Sequence, residues 1–414
     1  MKGESLIKRF IPYYKPFRKV FIFDLFCALV YAGAGILFPV LVRNLLNNYV
    51  STEYIMWSKI GATCALMVGL KILEVSANYF MLTAGHVMGA KLEADMRRDL
   101  FDKLLNLDHS FYDNNKVGDL MSRVNNDLFQ ITEFSHHFPE EMIIAGAKLI
   151  GIFIYLLTVH VPLTLILFAC LPFMAFVAVY FNKRLRRVFR KQREQVSIIN
   201  SHLEDSLAGM TVVKSFARED MELDRFQEDN RAFVRIKRRS YKYMGGFHTL
   251  IKLLTGLFYI ITAVVGSVFI SIGEIDTVDL LTYLLYVNSL MMTIEVIMTY
   301  TEQFQQAMSG FSRFAEVIEA PITVTDKADA FEADKVDFKS DIVFDDVTFK
   351  YEEKGRTVLN NINFSVKSGE KVALVGPSGA GKTTIANLIT RFYDISSGRI
   401  LIGGKDIKSV KLRS

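Results

Sequence analysis

Eight residues near the C-terminus, Gly376-Pro377-Ser378-Gly379-Ala380-Gly381-Lys382-Thr383, have the types and spacing to hold a chain of phosphates. They fit G-x-x-x-x-G-K-[ST], the phosphate-binding loop of nucleotide-hydrolysing proteins. Glycines let consecutive N–H groups curl around phosphate oxygens without Cβ clashes, and a following helix N-terminus adds partial positive charge. In that arrangement Lys382 would contact the β- and γ-phosphates of a nucleotide, and the Thr383 hydroxyl would ligate Mg²⁺. Such a loop needs a strand before it and a helix after it. The apolar run Lys371-Val372-Ala373-Leu374-Val375 predicts a buried strand, and residues 383–393 predict a helix by their apolar spacing.

The rest of the chain is more apolar than a soluble domain of this length. Of 414 residues, 51% are hydrophobic, gathered in long runs rather than amphipathic stripes. Six runs are long enough to cross a bilayer as helices, over residues 20–42, 60–82, 138–159, 161–181, 244–272 and 278–299. Little more than His160 joins the third to the fourth, which predicts a tight hairpin. The basic start does not make the first run a signal peptide, because the run exceeds a signal core and a further span follows.

Net charge is a modest +5 and its distribution reads as membrane topology rather than nucleic-acid binding. Lys8, Arg9, Lys15, Arg18 and Lys19 precede span one, and Lys183 to Arg193 and Arg235 to Arg239 lie between spans four and five. The turn between spans five and six carries Glu274, Asp276 and Asp279 and no basic residue. Positive charge stays inside, which places the N-terminus and the phosphate loop together in the cytoplasm. Connections 83–131 and 182–243 are charged yet keep helical periodicity, as in Leu92, Met96 and Leu100. They predict membrane helices that continue well into the cytoplasm.

Cys27, Cys64 and Cys170 fall in apolar runs and read as small buried hydrophobes. His136, His137 and His248 lack the sequence spacing of metal ligands and read as packing or interfacial residues. Ionisable residues at membrane depth usually face a cavity or one another. Lys71 and Glu74 sit one turn apart in span two, with Lys148 in span three, Lys252 in span five and Glu295 in span six. With Met291 and Met292 nearby, Glu295, Lys71 and Glu74 are candidates for a substrate chamber, a local Lys71–Glu74 pair being the plainer alternative.

Three segments then carry a family resemblance: residues 111–123 (FYDNNKVGDLMSR), residues 204–217 (EDSLAGMTVVKSFA), and Val347-Thr348-Phe349-Lys350-Tyr351 with Gly376 to Thr384. From about Lys8 to Ser414 the chain resembles a bacterial ABC exporter half-transporter of the multidrug and lipid type. The resemblance implies a polytopic α-helical membrane domain of six helices with long cytoplasmic extensions, followed by the N-terminal part of an α/β P-loop nucleotide-binding domain. Its divisions would be an amphipathic N-terminal segment at 1–19, the membrane domain at 20–318, a linker at 319–340 and the nucleotide-binding part at 341–414. It implies Tyr351 stacking on adenine, a nucleotide site of Tyr351 and Gly376 to Thr384, two cytoplasmic coupling helices, and a domain-swapped dimer. The second coupling helix would reach the partner's nucleotide domain. ATP and Mg²⁺ are the expected cofactors. A second half-transporter, the lipid bilayer and a drug-like or lipid substrate are the expected partners, with no nucleic acid, in the plasma membrane. The family's glutamine loop, signature loop, second acidic motif and switch histidine are expected to lie beyond Ser414. No catalytic residue is therefore assigned, and a non-hydrolysing membrane subunit is the alternative reading.

Overall fold

The computed structural model describes residues 10–50, 56–336, 339–351 and 355–413. Its helices are α1 (Arg18–Leu45), α2 (Trp57–Phe80), α3 (His86–Asn106), α4 (His109–Asn114), α5 (Val117–Ser122) and α6 (Leu128–Val159). They continue as α7 (Val161–Ala208), α8 (Met210–Ser215), α9 (Glu219–Ser271), α10 (Thr277–Ile318) and α11 (Lys382–Ile389). Six stretches of described helix are long and apolar enough to cross a membrane. The chain divides into two compact units, one of residues 18–87 and 136–303, the other of 1–17, 88–135 and 304–414.

The first unit holds the apolar bundle. Ala28 and Ala32 of α1 pack with Ala77 of α2 and Met81, small side chains that let helix backbones approach. Ile152, Leu156, Leu163, Leu167, Tyr283, Tyr286 and Leu290 form the other core of this unit. Two of its buried tyrosine hydroxyls are paired, as a low-dielectric interior favours. Tyr283 donates to His160 O (2.8 Å) and Leu156 O (3.1 Å), and Tyr286 donates to Ile36 O at 2.6 Å. The hairpin expected at His160 is present: its ring accepts from Leu163 N–H as the N-cap of α7, and Nε2 lies 2.9 Å from Glu274.

Helices and a small sheet make up the second unit. Three regions are wound as π turns, Leu46–Val50 after α1 and Met81–Gly85 before α3 in the first unit, and Arg123–Asp127 before α6 in the second. At the last of these, Asp127 accepts both arms of Arg313 at 2.6 Å each, and Gly310 brings α10 close enough that a Cβ would lie 3.3 Å from Asp127 O. This bidentate pair closes α10 against the start of α6. Arg313→Leu should cost about 1.5 kcal/mol, the lower end for charged hydrogen bonds, because the guanidinium is 41% exposed. A lower thermal midpoint of the purified protein is the expected readout, and an unchanged midpoint would mean that the pair adds nothing.

Four antiparallel strands follow, β1 (Ile342–Phe349), β2 (Leu359–Val366), β3 (Ser397–Ile402) and β4 (Lys405–Asp406), in the order β2-β1-β3-β4. Phe344, Val347, Phe349, Leu359, Leu388 and Ile400 bury one face of this sheet against α11. The sequence reading needs two corrections here. Residues 371–375 form no strand, and Val372, Leu374 and Val375 are exposed, Val375 at 92%. The apolar run predicted a parallel strand covered on both faces; no described strand pairs with it, so it stays extended and open. The helix expected over 383–393 ends at Ile389, because Arg391 takes a left-handed φ of 56° and turns the chain.

Candidate functional site: the phosphate loop and its seat

The loop between residues 376 and 382 has the backbone of an anion cradle. Gly379 and Gly381 take φ of 82° and 86°, and Ala380 N–H closes a tight turn onto Pro377 O at 3.2 Å. Alternating hand along a short stretch points successive N–H groups to one side. Gly381 also meets a packing limit, since a Cβ there would lie 2.7 Å from Leu359 Cδ2. Lys382 folds back over the loop, and its ammonium donates to Gly376 O (2.9 Å) and Pro377 O (2.7 Å). Its charge thus sits on the loop itself, where an anion's oxygens would replace the two carbonyls.

Thr383 is exposed at the start of α11, where the motif places the metal-ligating hydroxyl. The next hydroxyl differs: Thr384 is buried and shares a 2.9 Å hydrogen bond with Tyr351 OH. Tyr351 is half-exposed, with ring edges held perpendicular to Phe349 (4.9 Å) and Tyr393 (5.1 Å). An aromatic placed beside a phosphate loop and open on its surface is a stacking platform for a base. These residues therefore fit a nucleotide: Gly376 to Lys382 would hold the phosphates, and Tyr351 the base. A bound Mg²⁺ would supply charge neutralisation between phosphate oxygens, with Thr383 as its protein ligand.

Sequence reasoning did not anticipate what lies behind the loop. Past α11, Phe392 stacks on His109 of α4 at 5.0 Å, and Tyr393 packs edge-on against the same imidazole. The Tyr393 hydroxyl donates to Asp113, also on α4. Burial, then this bond to a carboxylate, push its phenol far above the ordinary tyrosine range, so it remains the donor. Just before α4, Asp108 accepts from Val324 N–H (3.1 Å) and from Thr323. Arg391, 7% exposed, donates to Thr325 O (2.9 Å) and Val410 O (3.0 Å). The loop, residues 323–325 and α4 are one connected assembly. Sequence placed residues 111–123 in a coupling region, but no spacing rule joins 113 to 393.

The membrane-depth candidates separate. Glu295 lines a cavity of about 860 Å³ with Phe168, Pro172, Met244, His248 and Ile251. Met291 is buried beside Thr255, and Met292 is 61% exposed elsewhere. Lys71 and Glu74 pair with each other at 2.8 Å on α2, outside that cavity. On the short helix α8, Val212 is exposed, as is Phe216 at its C-cap.

Comparison with known proteins agrees with this geometry. Residues 21–294 match the family described as the ABC transporter transmembrane region, and residues 359–414 match that described as ABC transporter. The uncharacterized ABC transporter ATP-binding protein YwjA of Bacillus subtilis (strain 168) is 33% identical over 409 residues, covering 99% of this chain and 70% of that protein. A putative multidrug export ATP-binding/permease protein of the same organism, YgaD, is 28% identical over 414 residues, covering 99% and 71%. An ATP-dependent lipid A-core flippase of Idiomarina loihiensis is 28% identical over 418 residues, covering 100% and 70%. Membrane helices and a phosphate-binding cassette on one polypeptide, and both family matches, identify the chain as a member of the ABC transporter family, an exporter-type half-transporter.

Proposed function

We propose that the protein uses ATP binding and hydrolysis to export an amphipathic drug or lipid across the plasma membrane by alternating access, as one half of a dimer. The observation that carries this reading is the seat of Phe392 and Tyr393 on His109 and Asp113. It fixes the segment following the phosphate loop to a cytoplasmic helix in one compact unit. A change in the loop on nucleotide binding is therefore delivered to α4 rather than absorbed by a flexible joint. Exposed Val212 and Phe216 support the second coupling contact, made with a partner's nucleotide domain. The basic stretch Lys183 to Arg193 supports a cytoplasmic N-terminus and cassette. The divisions 1–19, 20–318, 319–340 and 341–414 serve as amphipathic segment, membrane domain, linker and nucleotide-binding part.

Substrate meets the bundle at the Glu295 cavity, whose apolar lining and single carboxylate suit an amphipathic cation or a zwitterionic headgroup. Met291, Met292, Lys71 and Glu74 contribute only where the dimer completes the chamber. Reconstitution into liposomes with fluorescent drug and lipid substrates tests the reading. ATP-dependent movement is the expected result. Glu295→Gln should lower the apparent affinity for cationic substrates about tenfold while leaving basal ATPase activity in place. Transport and stimulation unchanged in both Glu295→Gln and Glu295→Ala would remove Glu295 from the chamber.

A further inference from the structure

Three imidazoles meet where the bundle nears its cytoplasmic side. His86 begins α3, directly after the π turn Met81–Gly85, and His136 and His137 lie on α6. One ring nitrogen of each falls within 4.8 Å of the others. His136 is 1% exposed, whereas His86 and His137 are half-buried, which leaves a route in from the surface. Sequence spacing had set His136 and His137 aside for want of a partner, and the structure supplies it in His86.

A second observation points to a cation. Asp24 of α1 is 0% exposed, and neither carboxylate oxygen has a hydrogen-bond partner among the described residues. Its carboxylate rests on Gly85, where a Cβ would lie 2.9 Å from Oδ1, so only glycine beside His86 admits it. A buried, unbonded carboxylate against Gly85, beside His86, calls for a nearby positive charge, and among the described residues no lysine or arginine pairs with Asp24. Supporting bonds complete the picture. His86 Nδ1 faces Met81 O at 3.4 Å, an outer partner of the kind that orients a ligating histidine, and Glu140 Oε2 lies 3.9 Å from His137 Nδ1.

We propose that His86, His136 and His137 form a binding site for a divalent transition-metal ion, with Zn²⁺ the best match and the Asp24 carboxylate beside His86 balancing its charge. Three imidazoles supply three positions of a tetrahedral set for that ion and leave the fourth for water, and calcium or magnesium would demand oxygen ligands. Zn–N bonds of about 2.0–2.1 Å place ligand atoms roughly 3.4 Å apart, a closure that ring rotation provides. The ion ties the start of α3 and α6 together at one point.

The test uses the purified protein, freed of any polyhistidine tag, with Zn²⁺ and Co²⁺ as probes. Calorimetry should show saturable Zn²⁺ binding, one ion per chain, and a thermal midpoint raised by Zn²⁺ and lowered again by chelator. His86→Asn, His137→Asn and Asp24→Asn should each weaken binding at least about tenfold. His202→Asn and His248→Asn, on histidines elsewhere, should leave it unchanged. Should a site variant not fold, Co²⁺ bound to the His202→Asn/His248→Asn protein should still show the intense visible absorption of tetrahedral coordination. Absence of saturable binding, absence of that absorption, or binding that survives the three site substitutions overturns the site and leaves the imidazoles as packing.

Discussion

Replacing Lys382 by alanine should lower ATP-driven transport by about two to three orders of magnitude, the cost of losing one preorganised charge at a phosphoryl centre. The structure shows why so much rests on one ammonium. It is folded over the loop on Gly376 O and Pro377 O, so the positive charge is in place before nucleotide arrives. Alanine leaves the cradle of N–H groups intact, and ATP should still bind with reduced affinity. Transport into proteoliposomes, measured beside binding of a fluorescent ATP analogue, separates these effects. Undiminished transport would show that Lys382 does not serve the phosphates.

The second large effect belongs to Tyr393. Tyr393→Ala removes an aromatic ring that packs against His109, Phe349 and Tyr351, and should destabilise this region by about 3–5 kcal/mol. Tyr393→Phe keeps the ring and removes only the bond to Asp113, a loss of about 1.5–3 kcal/mol for a hydrogen bond to a charged group. Its functional signature should be specific: ATP binding persists while transport per ATP hydrolysed falls. Asp113→Asn should fall in the same way, and combining the two should add little, as for residues sharing one interaction. Loss of ATP binding in Tyr393→Phe would mean that the tyrosine acts through Tyr351 at the nucleotide instead.

Helices and loop were legible because their signals are local and repeated. Runs of about 20 apolar residues can hardly be anything but spans, and a glycine-rich loop announces its backbone. The strand expected at 371–375 failed for a physical reason. An apolar run states what a segment prefers to bury, but a strand exists only where a neighbour accepts its hydrogen bonds. Helix α11 was overextended because apolar spacing continues through Phe392 and Tyr393, while Arg391 turns the backbone away. Glu295 lines a cavity, and Lys71–Glu74 formed the local pair kept as the alternative. Pairings at long sequence separation, Asp113 with Tyr393 and His86 with His136, leave no periodic trace in a single chain.

The π turn at Met81–Gly85 has a meaning in the arithmetic of insertion and deletion. Such a turn holds one residue more than an α turn, and a residue occupies about 100° of helical arc. A helical wheel counted from Trp57 therefore loses its place at His86, and the histidine falls on a side that the wheel assigns to its neighbour. Relatives that differ in length by one residue have a ready place to do so here, because removing that residue restores an ordinary helix. The helix would survive such a change, whereas the side chain presented at position 86 would not be the same one. Length at this turn, rather than the identity of any residue in it, is what keeps His86 beside His136 and His137.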